Sequence, residues 1–208
     1  MQQSNSEQKQ YEKYAYIFDF DGVLADSMSI IFECFNSVFS RHGFKVAYSK
    51  FISMAGMPPV DILSAICQAN NCVADMRGIT DEFYALYTSR LFETPPIRSN
   101  VQLAAIIRAS GSPVAIASGS PRQAIETLLP RFGLEVDVVV SSDKVAYGKP
   151  QPDVFLKAAE LMRVDPRNCI VVEDSDSGIT AAKAAGMNVL KFINQLEEIK
   201  QVIKEVCP

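Results

Sequence analysis

The 208-residue chain sets 20 Lys and Arg against 24 Asp and Glu, a formal net charge of -4, with 48% hydrophobic and 21% charged residues. This is the make-up of one sizeable globular unit or of a core with a smaller insertion, and it excludes wholesale disorder. With no basic surplus the reading excludes nucleic acid and anionic membrane as partners, and no apolar run reaches the length of a bilayer.

Five cysteines, Cys34, Cys67, Cys72, Cys169 and Cys207, are odd in number and form no CxxC pair. They read as reduced thiols and point to the cytoplasm. The single histidine, His42, stands before Gly43 at what the pattern makes a helix end, so it reads as a surface or capping residue. A His-rich zinc site cannot be built, and carboxylates must carry any chemistry. Residues 1–13 are polar and read as a flexible tail.

Tyr14 to Phe18 is an apolar and aromatic run without polar alternation, which predicts a strand buried on both faces. It gives way at Asp19 to two carboxylates one residue apart, followed by Gly22, where a turn is permitted. Ile30, Ile31, Cys34, Phe35, Val38 and Phe39 then recur at three- and four-residue steps, predicting an amphipathic helix that ends near Gly43. Further helical patterns follow at 60–69 and 80–92, separated by the break Gly56-Met57-Pro58-Pro59, so residues 28–94 read as all-helical. Pro95 and Pro96 close that region.

Beyond Asn100 helices and strands alternate, which predicts a parallel sheet with crossover helices. Helices are expected at 101–109, from Pro121 to about Leu129, and at 154–162, 179–185 and 196–206. Strands are expected at 113–117, 136–140, 169–172 and 189–192. Ser120 is assigned as the N-cap of the helix that opens at Pro121, with Gln123 at capping-box spacing. The fold class is thus α/β, a Rossmann-like parallel sheet with helices on both faces and an inserted helical cap. Residues 14–27 and 95–208 form the core domain and 28–94 the cap.

Ligands of open parallel sheets bind outside the carboxyl ends of the strands. The predicted strand ends carry Asp19 and Asp21, then Ser118 and Gly119, then Lys149 within GKPQPD, then Glu173 and Asp174. Asp-x-Asp-Gly alone also fits a plain strand and turn, Ser118 alone a capping hydroxyl, and Lys149 alone a solvated charge. Together they supply a nucleophile, a proton donor, phosphate contacts and acids that call for a hard cation such as Mg²⁺. Glu173 and Asp174 lie beside a helix start that Ser175 to Ser177 would cap, which frees at least one acid for metal. Met54 and Met57 read more readily as core fillers than as substrate contacts.

FDFDGVLADS, AIASGS, GKPQPD and VVEDSDSGITAAKAAGM resemble the four motifs of the haloacid dehalogenase superfamily, in its branch of small phosphatases and beta-phosphoglucomutase-like enzymes. The resemblance covers about residues 14–193. It implies Asp19 as nucleophile, Asp21 as acid/base, Ser118 and Lys149 as phosphate contacts beside Gly22 and Gly119, and an aspartyl-phosphate intermediate. It also implies Mg²⁺ held by Asp19, Asp174 and the Asp21 carbonyl, with Glu173 as an auxiliary or outer ligand. The family default is a sugar or polyol phosphate, and the expected assembly is a monomer or weak dimer. Mutases of this branch carry a histidine early in the first cap helix and an arginine soon after the cap glycine, where this chain has about Ile31 and Pro58-Pro59. The expectation is a phosphatase, with a phosphosugar mutase as the alternative and a catalytically silent binding protein as the remaining reading.

Overall fold

The computed structural model describes residues 14–71 and 75–191. The tail at 1–13 and the helix expected at 196–206 lie outside them, as do Phe192 of the last expected strand, Cys72 and Cys207.

Five strands, β1 (Ala15–Phe18), β2 (Val114–Ser118), β3 (Val138–Ser141), β4 (Cys169–Glu173) and β5 (Asn188–Lys191), form one sheet in the order β3-β2-β1-β4-β5. All pairings are parallel. Successive side chains of a strand face opposite ways, so β1 feeds two cores. Tyr16 and Phe18 pack with one hydrophobic cluster that includes helices α5 (Arg98–Ala109) and α6 (Arg122–Phe132). Ala15 and Ile17 pack with the other, formed with α7 (Asp153–Met162) and α8 (Asp176–Ala184). Burial on both faces is why β1 is continuously apolar.

The stretch expected to form a cap holds α1 (Met28–Arg41), α2 (Tyr48–Ile52), α3 (Pro59–Ala69) and α4 (Met76–Arg90). Its interior is aromatic: Phe35 lies 4.4 Å from Phe83 between ring centroids, and Phe83 stacks on Tyr87 at 5.9 Å. Such ring pairs add to the stabilisation that burial alone provides. His42 follows α1 as an exposed C-terminal residue, as its place before Gly43 suggested. Chain leaves and rejoins the core side by side, with Ala25 bridged antiparallel to Pro96. Asn100, fully buried, donates its side-chain N–H to the Val23 carbonyl at 2.6 Å and ties the first motif to α5.

Three sequence expectations need correction. Helix α4 starts at Met76, not near Thr80, because Asp75 caps it by accepting from the Arg77 amide at 3.0 Å. Gly78 in its first turn had weakened the helical signal. Helix α6 continues through Pro130 to Phe132, where packing outweighs the proline's intrinsic cost: Phe132 stacks on Phe20 with centroids 6.1 Å apart. Ser120 is not its N-cap. Pro121 holds that position without any side-chain capping bond, and the Ser120 hydroxyl is committed elsewhere.

Candidate active site

The strand order reverses around β1, whose neighbours β2 and β4 lead the chain in opposite directions. Loops leaving these three strands therefore meet over one crevice. Asp19 and Asp21 come from β1, Ser118 and Gly119 from β2, and Glu173 and Asp174 from β4. Lys149 arrives on the loop before α7, next to a cis peptide to Pro150.

Lys149 is fully buried, and its Nζ donates to Asp19 Oδ1 and to Glu173 Oε2, each at 2.8 Å. The same nitrogen lies 4.9 Å from the centroid of the Phe155 ring, supplied by α7. Burial opposes the ammonium's charge, yet the two carboxylates outweigh it and raise the pKa of Lys149. The other Glu173 oxygen, Oε1, accepts from the amides of Asp174 (3.1 Å) and Ser175 (3.0 Å) and from the Ser175 hydroxyl (2.8 Å). Burial disfavours the Glu173 anion, but Lys149 and these donors win and hold its pKa below the usual range. Ser175 in turn caps α8, accepting from the Gly178 amide at 3.0 Å.

One ammonium does not neutralise the remaining acids. Burial, then Glu173, pushes the Asp19 carboxyl well above the usual range even though Lys149 pulls it down, with Asp174 and Asp21 adding to the rise. Burial, again followed by Glu173, pushes Asp174 up to about 7. Asp19, Glu173 and Asp174 each offer an oxygen within 4.8 Å of the other two. An excess of buried negative charge on hard oxygen donors fits a divalent cation. Gly22, at φ +83°, makes room for this cluster, since a Cβ there would fall on the Asp174 carboxylate.

Asp21 is held differently. Its two oxygens accept from the hydroxyls of Ser27 and Ser120. Burial raises its pKa against the pull of those hydrogen bonds. The Ser118 hydroxyl accepts from the Ser120 amide at 3.0 Å, which shapes the turn after β2.

All eight residues singled out in the sequence thus lie at one sheet edge. Ser27 and Ser120 were missed as Asp21 partners. The available signal was the second serine of Ser118-Gly119-Ser120, which local spacing assigned to a helix cap. Tyr87 was missed too. It is buried on α4, with its hydroxyl beside that of Ser120 and near enough to Asp21 to feel its charge.

Residues 55–58 lie against this edge. Ser177 donates its hydroxyl to the Ala55 carbonyl, and the Gly56 carbonyl comes so near that a Cβ on Gly119 would lie 2.8 Å from it. The partly open cavity at this edge has a volume of about 30 Å³, lined from both sides by the residues named above and by 28–62. Met54 is buried as a core filler, whereas Met57 is half-buried and lines this cavity. No helix among the described residues is long and apolar enough to cross a membrane.

Comparison with known proteins supports the same grouping. Residues 16–192 match the profile of a haloacid dehalogenase-like hydrolase. The fructose-1-phosphate phosphatase YqaB of Escherichia coli (strain K12) is 33% identical over 185 residues, covering 86% of this chain and 97% of that protein. The bifunctional riboflavin kinase/FMN phosphatase of Arabidopsis thaliana is 30% identical over 177 residues, covering 84% of this chain; the match spans only 47% of that longer protein. A beta-phosphoglucomutase from Clostridium difficile shares the fold, with a TM-score of 0.77 at 24% identity, covering 92% of this chain and 99% of that one. A motif set assembled at one switch point and a profile match over most of the chain lead to one conclusion: the protein belongs to the haloacid dehalogenase-like hydrolases.

Proposed function

We propose that this protein is a Mg²⁺-dependent phosphatase of a small phosphorylated metabolite, acting through an aspartyl-phosphate. The observation that carries this reading is the placement of Lys149 between Asp19 and Glu173, opposite Asp21 with its two hydroxyl partners. One carboxylate is held for attack and the other for proton transfer.

In the first half-reaction an Asp19 oxygen forms a bond to phosphorus while the ester P–O bond breaks, and Asp21 gives its proton to the departing alcohol oxygen. In the second, water attacks the same phosphorus, Asp21 takes the water's proton, and the Asp19–P bond breaks to release phosphate. Ser118, the Gly119 amide and Lys149 hold the phosphoryl oxygens. Asp19, Asp174 and the Asp21 carbonyl would hold Mg²⁺, which would supply charge neutralisation at the transferring group. Glu173 has both oxygens engaged, so its role is to fix Lys149 and the α8 cap from outside the metal's inner ligands.

The cap, residues 28–94, must part from the core to admit substrate and then close to exclude water. A phosphosugar mutase needs a cap group that guides a sugar hydroxyl back to phosphorus. Ile31 lines the cavity at the place where a mutase histidine is expected, which favours the hydrolase. The relatives' names point to sugar or hexitol phosphates as substrates of those proteins.

The test is phosphate release from a panel of phosphate monoesters with Mg²⁺. The Asp19→Asn variant should lose at least about a thousandfold in turnover, in line with the loss of a catalytic nucleophile. Full activity in a folded Asp19→Asn protein would end the covalent mechanism.

A further inference from the structure

Resting on the phosphatase reading, the inference concerns the alcohol to which the phosphate is esterified. The cavity above the two aspartates has a polar floor and an apolar roof. The core contributes Asp19, Asp21, Ser118, Gly119 and Ser120. The cap contributes Met28, Ile31, Phe35, Phe51, Met57 and Ile62, together with Ala55, Gly56 and Pro59. None of these nine has a side chain able to donate a hydrogen bond, and none carries a charge.

The polar groups of the floor are already committed. Asp21 accepts from Ser27 and Ser120, and Asp19 accepts from Lys149. What Ser118 and Gly119 can still offer is used by the phosphoryl group. Tyr87, the cap hydroxyl beside Ser120, is not among the residues that line the cavity. In the cap wall only the backbone of 55–57 remains, and the Ala55 carbonyl there is taken by Ser177.

A polyhydroxylated alcohol closed in against Ile31, Phe35, Phe51 and Ile62 would leave its hydroxyls without partners, and buried polar groups left unpaired are disfavoured. Such a wall instead gains from each apolar carbon it covers. We propose that the substrates of this site are phosphate monoesters of an apolar alcohol, alkyl or aryl, and not of a sugar or polyol.

The test uses non-hydrolysable ligands matched in length and charge: butylphosphonate and 3,4-dihydroxybutylphosphonate, titrated calorimetrically into the Mg²⁺-loaded protein. Apolar pockets discriminate against an added hydroxyl by up to about 10²-fold, so butylphosphonate should bind at least about tenfold more tightly. The Met57→Gln variant, which places an amide in the roof at similar volume, should narrow that ratio. Equal affinity, tighter binding of the dihydroxy ligand, or binding of inorganic phosphate with neither phosphonate would overturn the proposal. The phosphatase reading is judged separately, by Asp19-dependent phosphate release from phenyl phosphate and from glycerol 3-phosphate. Release from the glycerol ester alone would sink the apolar preference and keep the hydrolase. Release from neither, with the binding order as expected, would sink the hydrolase and keep the apolar preference of the pocket.

Discussion

Lys149 and Glu173 form an ion pair of 2.8 Å in which neither side chain touches solvent. The remaining hydrogen-bonding capacity of the glutamate is spent on the start of α8. The pair is therefore a joint between the lysine loop and the last motif, as well as a way of aiming the ammonium at Asp19.

Replacing Lys149 with Met should leave Asp19 and Glu173 facing each other with no compensating charge. Removing one partner of a buried pair typically costs about 3–5 kcal/mol, so a loss of about 3 kcal/mol in unfolding free energy is expected by urea titration. A change below about 1 kcal/mol would show that the joint is not structural.

The Ser177 hydroxyl reaches across to the Ala55 carbonyl of the cap. Ser177→Ala removes one hydrogen bond of about 1 kcal/mol, which shifts a closed-to-open equilibrium about fivefold. The expected result is a kcat/KM about fivefold lower and faster amide exchange across 54–57, with the core's exchange unaltered. Unchanged exchange in that loop would mean that closure does not depend on this contact.

Gly56 adopts φ +82°, and a Cβ there would fall on the hydroxyls of Ser175 and Ser177. Gly56→Ala should therefore hold the cap away from the core. Small displacements of a positioning element can cost about a hundredfold in rate, and that loss is expected in kcat/KM without unfolding of the sheet. Wild-type kinetics would show that the loop seats in another way.

Burial pushes the Cys169 thiol up to about 11 and also raises that of Cys34. In the unfolded chain a thiol ionises near its ordinary value of 9.0. Above that pH the unfolded state loses protons first, so folding stability falls as pH rises. The contribution of Cys169 is intact below about pH 9 and is lost progressively toward pH 11. Melting temperatures between pH 8 and 11 should decline, and less steeply in Cys169→Ala. An identical slope in the variant would remove this thiol as a cause.

Much of the scaffold was legible from residue order. The apolar runs read as strands at 14–18, 113–117 and 169–172 fall within a residue of β1, β2 and β4, because the faces of the central sheet are covered and burial on both sides leaves a hydrophobic signature. Asp19, Asp21, Ser118, Lys149, Glu173 and Asp174 were legible because strand ends of a parallel sheet share one edge. The N-terminus of α4 and the C-terminus of α6 were not. Each depended on one local contact, the Asp75 cap in one case and the Phe132–Phe20 stack in the other, that periodicity does not carry.

The sequence by itself determined the chemistry available to this protein: carboxylates in pairs, one buried-capable lysine in a glycine-proline frame, and no histidine where a mutase would keep one. Only the tertiary structure decided how that chemistry is held. Ser120 turned from a helix cap into a partner of Asp21, Glu173 turned inward to fix Lys149, and nine uncharged residues of 28–62 converged over Asp19 and Asp21. The physical reason is common to all three. Each depends on which groups are brought together and cut off from water by elements distant in the chain, and desolvation and pairing are properties of that assembled space.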